Sequence, residues 1–175
     1  MLDRNVGSLS DLIIHELTHG TIFLKDSLEF NENLATFIGN EGARLFLSDR
    51  YGHSSSELES FNIRIKDQKI FTAYVLEGAY RLDSLYNLFP SDMPHESKLE
   101  LKRKTIEEFI AGSRELPFHN KVYKDFFNDF TPDNTFFMSY LRYRGGQAVF
   151  EETLRNEYNG NLAAYIGDLK TKFGR

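Results

Sequence analysis

The sequence predicts a mainly α-helical protein, and three features lead to that prediction. Apolar residues recur at spacings of three and four, the period of an amphipathic helix. Alternation with a period of two, which marks strands, is almost absent, and capping residues and Gly or Pro stand between the apolar runs. A length of 175 residues suits one domain over 1–175 that buries about 70% of the surface of its unfolded chain. We therefore expect a single helical domain with little or no β structure.

Two helices are predicted in the first fifty residues. The first is expected to be capped by Ser8 or Ser10 and to continue to about Lys25. Asp26 followed three residues later by Glu29 matches a capping box, in which two side chains bond reciprocally to backbone N–H groups. A second helix is therefore expected to begin directly after Asp26, so that the two helices form an antiparallel hairpin.

The next boundaries follow from a glycine and a second capping pattern. Gly52 is a typical residue for ending the second helix near Arg50. Ser56 and Glu59 form another capping box, and the helix that they open could reach Phe89.

Four more helices are predicted in the second half of the chain. Pro94 suits the first turn of a charged helix that ends near Arg114. Thr131-Pro132 repeats the signal of a cap followed by proline, for a helix that ends near Gly145-Gly146. Two short helices finish the chain, separated at Asn159-Gly160.

Composition disfavours several classes of protein. The formal charge is −5, from 26 acidic and 21 basic residues, whereas nucleic-acid binders usually carry a basic excess. The absence of cysteine excludes disulfides, thiolate metal sites and thiol catalysis. No run approaches 18 uncharged apolar residues, so a membrane-spanning segment is not expected in this chain. The opening residues lack the pattern of a signal peptide. Compartment and oligomeric state stay open.

An H-E-x-x-H motif lies in the first predicted helix, from His15 to His19. Four residues advance a helix by about 400°, so the two histidines stack on one face and can share one Zn²⁺. Glu16 projects beside them, where it could take a proton from a zinc-bound water. The alternative is a pair of exposed histidines on an amphipathic helix. Because the motif lies within an apolar run, where unpaired imidazoles are costly to bury, we favour the zinc site.

A catalytic zinc needs a third protein ligand and an open position for water. The metzincin pattern requires histidine at position 25, which is Lys25 here, so that class is excluded. Asp26, Glu29 and Glu32 remain. In an antiparallel hairpin His19 and Glu32 lie about 9 Å from the corner and level with each other, whereas Glu29 lies a turn too low. The sequence therefore predicts His15, His19 and Glu32 as metal ligands.

Small residues on the second helix agree with this arrangement. Ala35, Gly39 and Ala43 recur every four residues and form a ridge that allows a neighbouring helix to approach closely. A glutamate reaching a metal held by that neighbour needs such an approach.

The motif and the following helix resemble a known family. The segment HELTHGTIFLKDSLEFNENLATFIGNEGARLFL is similar to the bacterial putative aminopeptidases of the gluzincin superfamily, whose pattern is HELAHQ, a dozen residues, then FNESFATFVG and a Gly-Ala pair. The matching residues are His15, Glu16, Leu17, His19, Phe30, Asn31, Glu32, Ala35, Thr36, Phe37, Gly39, Gly42 and Ala43. The resemblance implies zinc held by two histidines and Glu32, with Glu16 as general base.

Near the end of the chain a shorter similarity involves Asp133-Asn134-Thr135 and then Tyr143, where the family has Asn-Asn-Ala and a downstream tyrosine. Tyr143 is the candidate for stabilising the oxyanion of a tetrahedral intermediate. Family members carry a long region before the motif, whereas 14 residues precede His15 here. The chain therefore resembles the C-terminal catalytic part of a family member, a helical zincin-like subdomain, or a shortened relative.

These features support two hypotheses. The first is a zinc metallopeptidase, aminopeptidase-like, that hydrolyses peptides by Glu-assisted attack of zinc-bound water. The second is a metal-stabilised helical module for binding or regulation, without hydrolytic activity.

Overall fold

A computed structural model of the chain describes residues 5–143 and 146–174. The fold is mainly helical, as predicted, and no strand occurs within these ranges. An isolated antiparallel bridge joins Ile22 to Gly174. The helices in this part of the chain are α1 (Val6–Thr21), α2 (Leu28–Tyr51), α3 (Ser56–Asn87), α4 (His95–Ser113), α5 (Lys121–Lys124), α6 (Asn134–Tyr143), α7 (Gln147–Tyr158) and α8 (Leu162–Phe173).

The start and the end of α1 differ from the sequence prediction. Its N-cap is Asn5, whose side chain accepts a hydrogen bond from the backbone N–H of Ser8. The helix ends at Thr21 rather than near Lys25, because Ile22 adopts an extended conformation in its bridge to the C-terminal segment.

The capping box predicted for α2 is wrong. Asp26 has a φ of 58°, a left-handed backbone conformation that turns the chain before the helix begins. Ser27 is the N-cap, and its side chain makes no capping hydrogen bond. At the other end the prediction holds, since Gly52 follows Tyr51 with a φ of 96°.

Two further predicted caps are wrong. The side chain of Ser55, not Ser56, caps α3 by accepting a hydrogen bond from the Leu58 N–H, and α6 begins at Asn134, after the predicted cap at Thr131-Pro132.

The helix α4 begins after Pro94, and α7 and α8 are separated by Asn159 and Gly160, both with positive φ. Asp133 caps α6 by accepting the backbone N–H of Phe136. The short helix α5 is absent from the prediction, because a single turn carries too little periodicity to detect.

The chain divides into two compact units, Met1–Ile65 with Tyr143–Arg175, and Lys66–Arg142. The core of the first unit joins α2 to the last two helices of the chain. Its buried members are Ile22, Leu34, Phe37, Ile38, Phe150, Leu154, Leu162, Tyr165 and Leu169. A second cluster, centred on Leu47 and Phe61, packs α2 against the start of α3.

The second unit has an aromatic core around Phe71, Phe109 and Phe137. At its edge the fully buried carboxylate of Asp67 accepts hydrogen bonds from the backbone N–H groups of His119 and Asn120 and lies 3.1 Å from the His119 ring. Burial raises the pKa of this carboxyl, but these hydrogen bonds outweigh burial and hold the pKa below its ordinary value. In the part of the chain that the structure describes, every helix is too short or too polar to cross a membrane.

Candidate metal centre

Helices α1 and α2 pack antiparallel at close range, and glycines make the approach possible. A Cβ added at Gly39 would lie 2.7 Å from Asp11 Oδ1, 2.9 Å from the Asp11 backbone oxygen and 3.4 Å from His15 Cβ. One added at Gly42 would lie 3.0 Å from the Ile14 side chain. Ala35 and Ala43 are fully buried on the same helix. Gly39, the central residue of the small-residue ridge predicted from the sequence, therefore lies where the two helices meet.

An ion pair between α1 and α3 fixes the position of Asp11, one turn before His15. Arg64 donates to Asp11 Oδ2 at 2.8 Å, and its guanidinium carbon lies 4.7 Å from the centre of the Phe61 ring. This pair could not be predicted from a local sequence pattern, because the two residues lie 53 positions apart.

The close packing brings together the three predicted ligands, His15, His19 and Glu32. The Nε2 atoms of the two histidines lie 3.1 Å apart. Glu32 Oε1 lies 3.4 Å from His19 Nε2, and Glu32 Oε2 lies 3.7 Å from His15 Nε2. All three side chains are half-buried, with 21%, 26% and 36% of their surface exposed in chain order.

These separations fit a zinc ion. Four ligands at about 2.0–2.1 Å in a tetrahedron stand about 3.3–3.4 Å from one another. The observed distances of 3.1, 3.4 and 3.7 Å lie close to that value, the last two ending on different oxygens of Glu32. At 3.1 Å at most one Nε2 can carry a hydrogen directed at the other, whereas two lone pairs directed at one cation are compatible. Two imidazoles and one carboxylate are also a donor set that zinc accepts, with one position left for water or substrate.

The predicted catalytic residues differ in how fully the structure describes them. Glu16 is exposed on α1, about 100° around the helix from His15, and it is not one of the converging ligands. Tyr143 is the last residue of α6, and its side chain lies outside the described part of the chain. Asn134, from the same family pattern, accepts a hydrogen bond from the Tyr86 hydroxyl at 2.9 Å.

Asn31 has a role in this hairpin that sequence reasoning missed. It is buried, with 4% of its surface exposed, and its side chain makes two hydrogen bonds to the backbone of Leu24 in the α1–α2 connection. The available signal was its position directly before Glu32 in the family pattern.

Comparison with known proteins identifies a family. A family model described as putative aminopeptidase matches residues 1–172. No curated protein and no solved structure matches the chain significantly.

Proposed function

Since the chain belongs to the putative aminopeptidase family, we propose that it is a zinc-dependent metallopeptidase that hydrolyses peptide bonds in an aminopeptidase-like manner. The observation that carries the proposal is the convergence of ligand atoms from His15, His19 and Glu32 within 4.8 Å of one another. In the gluzincins, which the sequence resembles, the third ligand likewise comes from the helix after the motif.

His15 and His19 on α1 and Glu32 on α2 are the residues that would hold the metal. A zinc ion bound there would supply Lewis acidity, polarising the substrate carbonyl and making a bound water more acidic. The half-buried ligands leave part of the site open to solvent, as a hydrolytic site requires.

Glu16 is the proposed general base and acid. As the water oxygen forms its bond to the carbonyl carbon, the Glu16 carboxylate accepts a proton from that water. The C–N bond then breaks, and Glu16 returns the proton to the nitrogen of the leaving amine, so the carboxylate is restored. Its exposed position beside His15, outside the ligand set, supports this role. Tyr143 is proposed to donate a hydrogen bond to the oxyanion.

The experiment compares Glu16→Gln with a matched control. Gln keeps the shape of the side chain and removes the basic carboxylate, so peptide hydrolysis should fall by at least about 100-fold, the lower end of general-base contributions. Glu29→Gln makes the same change at an exposed glutamate of α2, outside the converging group, and should leave the rate unchanged. Both variants should retain zinc, measured by metal analysis of the same preparations.

Activity that persists in Glu16→Gln would contradict the mechanism. A fully zinc-loaded wild-type chain with no hydrolysis of any peptide in a mixed-sequence library would instead favour the metal-stabilised binding module.

A further inference from the structure

The connection between α1 and α2 determines whether the third ligand can reach the other two. His15 and His19 belong to one helix and therefore keep their mutual position when that helix is intact. Glu32 belongs to the next helix, and its oxygens must stay within 3.4–3.7 Å of the histidine nitrogens. Residues 22–27 join the two helices, so their conformation sets the position of the first turns of α2 relative to α1.

The start of α2 lacks the side-chain capping hydrogen bond that is usual at the start of a helix. Ser27 is the N-cap residue, yet its side chain makes no capping hydrogen bond. At the other end of the connection, Ile22 forms the bridge to Gly174, and the Phe23 N–H donates to the Phe173 carbonyl at 3.0 Å. Those contacts hold the connection to the end of α8, while Ile22 shares a core cluster with Leu34 and Ile38 of α2. A hydrogen-bonded attachment to α2 comes from another group.

Asn31 supplies that attachment with both ends of its amide. Its Nδ2 donates to the Leu24 carbonyl at 2.8 Å, and its Oδ1 accepts the Leu24 N–H at 2.8 Å. A planar amide that bonds both backbone groups of one residue fixes the orientation of that residue as well as its distance. Because Asn31 directly precedes Glu32, the same turn of α2 that carries the ligand is tied to the connection.

The neighbouring Asn33 shows what a purely structural asparagine does here. It is as buried as Asn31, with 1% of its surface exposed, but its Nδ2 donates to the Glu29 carbonyl of its own helix at 2.9 Å. That bond lies within α2 and does not constrain the helix relative to the connection.

We propose that Asn31 is a positioning residue of the metal site, which holds Glu32 at the reach needed for a cation bound by His15 and His19. The inference rests on the proposed function, since it assumes that the three side chains bind zinc. It predicts that the Asn31–Leu24 hydrogen bonds and zinc binding stabilise each other. Breaking the two hydrogen bonds between Asn31 and Leu24 weakens zinc binding, and zinc binding protects these hydrogen bonds.

The test compares Asn31→Ala with Asn33→Ala, by competition with a chelator of known zinc affinity and by thermal unfolding of the zinc-free proteins. Both changes remove a buried amide from the first turns of α2, and the melting temperatures show whether each variant keeps its fold. Asn31→Ala is expected to weaken zinc binding by about 10–100-fold, the range for partners that orient ligands, whereas Asn33→Ala leaves it close to wild type. Equal zinc affinities in the two variants would overturn the proposal.

Hydrogen exchange on the wild-type chain gives a second readout that does not require Asn31→Ala to fold. The Leu24 amide should be protected without zinc and exchange more slowly with zinc bound. Exchange of that amide at an unprotected rate in the zinc-loaded protein would also overturn the proposal. A wild-type chain that binds no zinc would reject the proposed function itself, whereas zinc binding that is insensitive to Asn31→Ala rejects this inference alone.

Discussion

Replacing Gly39 by alanine tests whether the two ligand helices need their close approach. In the wild-type structure a Cβ at this position would lie 2.7 Å from Asp11 Oδ1 and 2.9 Å from the Asp11 backbone oxygen. The carboxylate could rotate, but Arg64 holds it, and the backbone oxygen can move only with α1. The helices must therefore separate by about 0.5 Å to reach an ordinary contact distance near 3.4 Å.

The expected loss of stability follows from two opposing terms. Forcing an extra methyl group into a packed contact costs about 1–3 kcal/mol. Alanine in a helix interior regains up to about 1 kcal/mol relative to glycine. The net free energy of unfolding should fall by up to about 2 kcal/mol, which lowers the melting temperature by up to about 8 °C in a chain of this size. Zinc affinity should fall as well, since separating α1 from α2 moves Glu32 away from His15 and His19.

Gly167→Ala is the matched control. Gly167 lies inside α8, and a Cβ there would meet no atom within 4 Å. The substitution should raise stability by up to about 1 kcal/mol through helix propensity alone and leave zinc binding unchanged. Thermal unfolding and chelator competition on both variants provide the measurements. If Gly39→Ala is as stable as Gly167→Ala and binds zinc equally well, the close approach of α1 and α2 does not matter as argued.

Three further predictions concern the metal and the buried carboxylate. Glu32→Ala should weaken zinc binding by more than about 100-fold, the upper end of the cost of losing an outer-shell partner, while Glu29→Ala should leave it unchanged in chelator titrations; the reverse result would reassign the ligand. Removing zinc from protein kept in free zinc at about 100 times the Kd should lower the free energy of unfolding by about 2.7 kcal/mol and the melting temperature by about 5–10 °C. An unchanged melting curve after verified removal would exclude a link between the two helices through the metal. Asp67→Asn should lower the free energy of unfolding by about 2–3 kcal/mol at pH 7 through its hydrogen bonds to a charged group. Because the folded-state pKa of Asp67 lies below its unfolded value, this advantage of the wild type holds above about pH 4 and should shrink as pH falls through the folded pKa. Urea midpoints that differ equally at pH 7 and pH 3 would contradict that assignment.

The sequence predicted the helical fold well because most helices here end at local signals. Gly52, Pro94 and Asn159-Gly160 interrupt the chain where the structure does, since a positive φ or a missing N–H acts on the backbone at one position. The end of α1 could not be predicted in this way. It depends on the bridge from Ile22 to Gly174, a contact between residues at opposite ends of the chain.

The same distinction applies to the candidate site. Spacing alone puts His15 and His19 on one face of a helix, and hairpin geometry selects Glu32 over Glu29. The support around these residues was not predictable, because Asn31 bonds backbone atoms rather than a recognisable side chain. Arg64 likewise contacts α1 from a helix that is distant in the sequence, and no local sequence pattern predicts such a contact.

The most direct test of the central claim is zinc X-ray absorption spectroscopy on the purified chain, together with its metal content. We expect about one zinc per chain, bound by two imidazoles and one carboxylate oxygen at about 2.0–2.2 Å with a further light-atom ligand. His19→Ala and Glu32→Ala should each remove their own contribution from that shell. Zinc that is absent after loading, or a ligand shell that neither substitution changes, would contradict the claim that His15, His19 and Glu32 form the metal centre.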